Sequence, residues 1–115
     1  MNTASLENSK GLYELSGWKV RDCYIQVNDP EAPIELLSEY DNRPDRSDYK
    51  VLAPAYDLGY LLRKLPSGKV SLDMVGNQWR CWYEDSDEPR ATFADTPEDA
   101  ACKLAIELWK AGVLK

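Results

Sequence analysis

The stretch from Lys69 to Glu84 leaves this chain few choices. Val70, Leu72 and Met74 alternate with Ser71 and Asp73, and Trp79, Cys81 and Tyr83 alternate with Arg80 and Trp82. A period of two is the pattern of a half-buried strand. Between the two runs stands Gly76-Asn77, a pair suited to the two-residue turns that need positive φ. The stretch therefore reads as a β-hairpin, with strands Lys69–Val75 and Gln78–Glu84. The acidic run Glu84–Pro89 turns the chain again, and Arg90–Ala94 is a short third strand. Such a sheet must bury one face against a second layer.

Helices supply that layer. Thr96 is placed as an N-cap, Pro97 sits at the first helical position, and Glu98 and Asp99 favour the positive end of the helix dipole. Thr96 and Asp99 resemble a capping box with Asp in place of Glu. Ala101, Leu104, Ala105 and Leu108 then form an apolar stripe widened by Trp109, with Lys103, Glu107 and Lys110 opposite. Gly112 ends this helix, and Val113 is placed to fold back in a Schellman cap. On the other side of the hairpin, Pro54 reads as a first-turn residue. Leu58, Leu61, Leu62 and Leu65 follow at i, i+3, i+4 and i+7, until Pro66 stops the helix. Gly59 inside that helix costs ~1 kcal/mol relative to alanine and suggests a close contact there.

Residues 1–27 add a helix and a strand. Leu6, Leu12, Tyr13 and Leu15 give a partial helical stripe, Gly17 stands where a C-terminal cap belongs, and Trp18–Val27 is rich in strand formers. Residues 28–53 read as an irregular connector. Asn28-Asp29-Pro30 is a turn, Ile34–Tyr40 is either a short helix begun at Pro33 or a short strand, and Asp41–Asp48 is an exposed loop without an apolar residue. The whole reads as one α+β domain over 1–115. It is a two-layer sandwich of a three- to four-stranded antiparallel sheet with helices on one face. Its core is α-β-β-β-α from residue 54, with an N-terminal α-β addition.

The 115 residues carry 20 acidic and 14 basic side chains, a formal charge of −6, and no histidine. That excludes a histidine-dependent triad, a histidine-ligated zinc or haem and a histidine pH switch. The acidic balance argues against a basic nucleic-acid footprint. The N-terminus lacks the basic and apolar regions of a signal peptide, and no apolar run is long enough to span a membrane. Cys23, Cys81 and Cys102 are odd in number and far apart. They read as small core residues in a reducing cytoplasm, with no base at hand to activate a catalytic thiol. No catalytic constellation, cofactor motif or phosphate loop is present, so the chain reads as non-enzymatic.

Two sets of residues remain as candidates for binding. Asp85, Asp87 and Glu88 gather in the loop after the hairpin, where oxygen ligands suit a divalent cation. Their spacing is not that of a calcium loop, and solvated turn residues are the simpler reading, so no metal is expected. The aromatics are the second set. Alternation places Trp82 and Arg80 on the sheet face opposite Trp79 and Tyr83, and exposed Trp and Arg mark binding hot spots. Tyr56 and Tyr60 lie four apart on the polar side of the helix begun at Pro54, near Arg63 and Lys64.

The α-β-β-β-α order ending in Ala100–Ile106 resembles double-stranded-RNA-binding domains. That family holds phosphates with a basic cluster at the start of its last helix, where this chain has Pro97, Glu98 and Asp99. Gly76-Asn77-Gln78-Trp79 and Asp95–Ala100 resemble the N-terminal domain of HicB-like antitoxins, which block a small ribonuclease toxin. Leu52–Pro66, Leu12–Trp18 and the final helix resemble small uncharacterised proteins of tailed phages and prophages. That resemblance implies a mobile-element origin and the bacterial cytoplasm. The expectation is a protein-binding module acting on a host protein through an acidic, aromatic surface. An antitoxin-type partner of a toxin and a small-ligand-binding protein are the alternatives. A homodimer is reasonable for an exposed sheet edge beside an aromatic face.

Overall fold

The computed structural model describes residues 2–27, 31, 33–37, 49–85, 87 and 89–114. The fold is mixed α+β, and the described residues form three helices and two three-stranded antiparallel sheets. In chain order the elements are α1 (Leu6–Ser16), β1 (Cys23–Val27), β2 (Ile34–Leu37), β3 (Tyr49–Pro54), α2 (Leu58–Lys64), β4 (Val70–Val75), β5 (Gln78–Tyr83), β6 (Arg90–Ala94) and α3 (Pro97–Lys110). The sheets have the orders β2-β1-β3 and β4-β5-β6. The expected sheet of three to four strands is thus one meander, β4-β5-β6, and the N-terminal strand joins a second sheet of its own.

The C-terminal part follows its local signals closely. Val75 pairs with Gln78 across Gly76-Asn77, and Gly76 adopts φ 63°. Asn77 keeps negative φ, so only the first central residue is left-handed, as a type II′ turn requires. Thr96 caps α3, its hydroxyl accepting from the Asp99 amide at 3.2 Å. At the other end the Val113 amide donates to the Leu108 carbonyl at 2.9 Å and Gly112 to Trp109 at 3.1 Å, with Gly112 at φ 80°. These two bonds are the Schellman closure anticipated from Gly112-Val113.

Helix α3 is the centre of the molecule. It packs on β5 and β6, and α1 and α2 pack on it. Ala100, Ala101, Cys102, Leu104, Ala105 and Leu108 of α3 are buried together with Cys81, Tyr83, Leu12, Leu61 and Tyr56. Burial of such side chains, ~25 cal/mol per Å² of apolar surface, is the main force holding the layers together. Ile25, at the centre of the first sheet, is also fully buried but stands outside this main cluster.

Upstream of Leu58 the structure corrects the sequence expectations. Pro54 does not open a helix: it ends β3, opposite Cys23. Proline lacks an amide hydrogen, so the end of a strand suits it. The helix begins at Leu58, capped by Asp57, whose carboxylate accepts from the Tyr60 amide at 2.8 Å. The apolar stripe is Leu58, Leu61 and Leu65, while Leu62 remains 40% exposed. Residues 28–53 are not merely a connector, because β2 and most of β3 lie within them. Ile34–Leu37 resolves as a strand. The strand expected over Trp18–Val27 begins only at Cys23, and Trp18 and Val20 pack against the helical core instead. The turn Asn28–Pro30 and the loop Asp41–Asp48 lie outside the described residues. Gly59 touches no sheet. A side chain there would meet Asp57 and Arg63 of its own helical turn, at 3.4 and 3.2 Å.

Candidate functional site

Strand β5 divides its residues between two environments. Cys81 and Tyr83 are buried under α3, and Trp79 packs against the same core. Arg80 and Trp82 point the opposite way, onto the open face of the sheet. Their cross-strand partners share that face: Asp73 and Ser71 on β4, Phe93 and Ala91 on β6. Arg80 and Trp82 therefore stand together, where alternation placed them.

The face is ordered by one ion pair. Arg80 donates Nε to Asp73 Oδ1 at 2.9 Å and Nη2 to Oδ2 at 2.6 Å, a bidentate clasp across the two strands. These hydrogen bonds hold the Asp73 carboxyl below its usual range and raise Arg80 above its own, against a smaller opposing effect of desolvation. The guanidinium also lies over the Trp82 ring, 5.6 Å from its centroid. Phe93, across from Arg80 on β6, is 42% exposed. An aromatic pair thus flanks a cation whose charge is already matched. Asp73 and Phe93 were not singled out from the sequence. Counting back across Gly76-Asn77 puts Asp73 opposite Arg80, so that partner was readable. Phe93 needed the register of β6.

Tyr56 and Tyr60 have a different fate. Tyr56 is fully buried ahead of the N-cap of α2, not on a polar helix face. Its hydroxyl donates to the Trp18 carbonyl. Burial pushes its pKa up, against a hydrogen bond with Ser16. The Tyr60 ring stacks on Tyr56 at 5.6 Å and 13°, and meets Trp18 edge-on at 6.4 Å. Trp18 meets Trp109 edge-on at 5.5 Å, and Lys64 Nζ lies 5.4 Å from the Trp18 ring and 5.6 Å from Tyr60. Burial raises the Tyr60 hydroxyl pKa too, opposed by Arg63. These aromatics tie α2 to α3 and to the chain before β1. Tyr56 belongs to the core, and Tyr60 remains partly exposed beside it.

The acidic loop is also locally engaged. Asp85 accepts from the Asp87 amide at 2.9 Å through Oδ1 and from the Tyr83 hydroxyl at 3.4 Å through Oδ2, which shapes the turn. Glu88 lies outside the described residues. Among the described residues no three His, Cys, Asp or Glu side chains converge as metal ligands.

At the start of α3, Asp99 accepts from the Ser5 amide at 2.6 Å and from Asn8 Nδ2 at 2.9 Å. Glu98 is 7% exposed. This end of α3 is therefore joined to the first turn of α1. A groove of about 500 Å³ opens beside the first sheet, lined by Tyr13, Lys19, Val20, Cys23, Leu37 and Tyr49 among others. It has no counterpart in the sequence reading, because its walls come from distant segments. Among the described residues no helix is long and apolar enough to cross a membrane. Compared with family models, curated proteins and solved structures, the chain shows no match.

Proposed function

We propose that this chain is a non-enzymatic binding module of phage or prophage origin that engages a host protein through the open face of β4-β5-β6. The observation that carries this reading is the Asp73–Arg80–Trp82 arrangement beside exposed Phe93. Trp and Arg are enriched at the energetic centres of protein interfaces, and side chains already ordered lose little entropy on docking. The −6 charge favours a basic protein over a nucleic acid. So does the start of α3, where the resembling RNA-binding fold would need cations and this chain uses acids to hold α1. Inhibition follows from such binding if the occupied surface of the host protein is itself a functional groove.

The test is affinity capture from bacterial lysate at low salt with the wild-type chain and with Trp82→Ala/Phe93→Ala. The reading expects a basic partner that elutes as salt rises and that the double variant loses while keeping its circular dichroism. Capture of the same proteins by both chains would remove the sheet face from consideration, and capture of none would remove the function.

A further inference from the structure

The two edges of the C-terminal sheet differ. Hairpin geometry says which backbone groups each edge presents. A two-residue turn closes on a hydrogen-bonded pair, here Val75 and Gln78, so Val75, Asp73 and Ser71 bond inward to β5. Val70, Leu72 and Met74 point their amide and carbonyl groups outward. The same parity carried across β5 makes Ala91 and Phe93 the outward residues of β6. That edge is capped, since Lys103 Nζ donates to the Phe93 carbonyl at 3.1 Å. The β4 edge carries no lysine and no proline, and among the described residues nothing hydrogen-bonds to its outer side. Natural proteins seldom leave such an edge unguarded.

We infer that the β4 edge pairs with β4 of a second copy, antiparallel and centred on Leu72. Two identical strands related by a twofold axis can meet only in registers that set a residue against itself. Centring on Leu72 pairs Leu72 with Leu72, Val70 with Met74 and Ser71 with Asp73. All three outward residues of both strands then exchange hydrogen bonds. Centring on Asp73 would set two carboxylates face to face, and centring on Ser71 would leave Met74 beyond the partner strand. The chosen register also gives Met74 a place. It is 54% exposed at the end of the helix-facing side, and Val70 borders a recess lined by Leu62, Leu65 and Pro66. Met74 of one copy would lie against Val70 and this recess of the other, covering Leu62 as well. Within the C-terminal sheets the pairing consumes both β4 edges, Lys103 occupies the Phe93 carbonyl on each β6 edge, and a twofold contact closes on itself, so this pairing makes a dimer and not a fibre. Its six-stranded sheet would carry two copies of the Arg80–Trp82 face, although the inference does not depend on what that face binds.

Ser71 is exposed and reports the register. Sedimentation equilibrium of the wild-type chain should show a monomer–dimer equilibrium that shifts with concentration. Ser71→Asp places like charges opposite each other twice per interface and should weaken the dimer about tenfold. Ser71→Lys places opposite charges there and should strengthen it, and high salt should narrow both differences. Met74→Pro removes an outward amide at an exposed position and should abolish the dimer while leaving the helical circular dichroism intact. If that variant fails to fold, the two Ser71 variants decide. A wild-type chain that stays monomeric at all concentrations overturns the inference. So does a dimer that both Ser71 variants shift in the same direction.

Discussion

Each sheet carries a cysteine on its central strand, and the two are treated differently. Cys81 on β5 is fully buried under α3, while Cys23 on β1 is only half-buried beside a groove. The sheets have the same number of strands and the same antiparallel sense. What separates them is how they are built. The second sheet is a meander of sequence neighbours laid on α3. The first joins Val27 to Tyr49 and Cys23 to Pro54 across a long excursion, with its register slipping between Tyr24 and Ile25. Local pairings close short loops at small entropic cost, whereas distant ones need tertiary support before they are worth making. The second sheet is the part that α3 holds directly.

The largest effect that follows is in thiol labelling. Cys81 and Cys102 are buried, and burial pushes their pKa to about 11 and about 12, with Asp99 adding to the rise at Cys102. At neutral pH they should react only when the helical core opens. Cys23 should react through smaller openings of the first sheet, at least ~100-fold faster. Mass spectrometry of the labelled peptides over time checks this. Equal rates at all three would mean that both sheets open together, which would erase the distinction.

Core truncation comes next. Leu104 is fully buried at the centre of the main cluster, so Leu104→Ala should cost ~3 kcal/mol in urea unfolding, with the slope unchanged. Ile25 is equally buried but outside that cluster, so its surroundings can close on the space more readily. Ile25→Ala should fall nearer ~2 kcal/mol, the low end for such truncations. If Ile25 proved the costlier site, the first sheet and not the second would be the more rigidly packed.

The same division explains what could be read from the sequence. The hairpin, β6, α3 and both caps were legible because each rests on a signal inside its own segment: the turn pair Gly76-Asn77, alternation, Thr96-Pro97 and Gly112. The open face was half legible for the same reason, with Arg80 and Trp82 placed by alternation. β3 was not legible. Its Tyr49–Pro54 is strand only because β1 lies alongside, and Pro54 followed by a leucine repeat imitates a helix start. Misplacing that start put Tyr56 on a helix face, when its position before Asp57 sends it into the core. β2 was ambiguous because four residues cannot distinguish a period of two from one of 3.6.

Tyr56 also joins the two regions, and removing its hydroxyl probes that junction. Its bond to the Trp18 carbonyl fixes the chain that leads into β1. Tyr56→Phe should keep the stacking on Tyr60 and leave the carbonyl unsatisfied, a loss of ~1 kcal/mol. Hydrogen exchange should then rise in β1 more than in β5. A uniform rise would show that the bond supports the whole fold and not the junction.

The smallest expected effect concerns Asp99, which holds the first turn of α1 to the start of α3. Burial alone would raise its pKa. The hydrogen bonds from Asn8, Ser5 and Thr96 outweigh burial and hold the carboxyl below its usual value. A group depressed on folding stabilises the folded chain above its unfolded pKa of about 4, and that contribution disappears as pH falls through the lower, folded value. Asp99→Asn keeps one acceptor oxygen but loses the charge at the helix N-terminus. At neutral pH it should therefore cost less than a lost cap, under ~1 kcal/mol. The difference between wild type and variant in urea midpoint should be constant from pH 7 to about 5 and shrink below pH 4. The contact belongs to the α1–α3 seam and not to either sheet, so the change should leave the relative labelling of Cys23 and Cys81 untouched. If Cys23 alone became faster, Asp99 would be supporting the first sheet through α1, and the boundary between the two regions would run through α1 and not along β3.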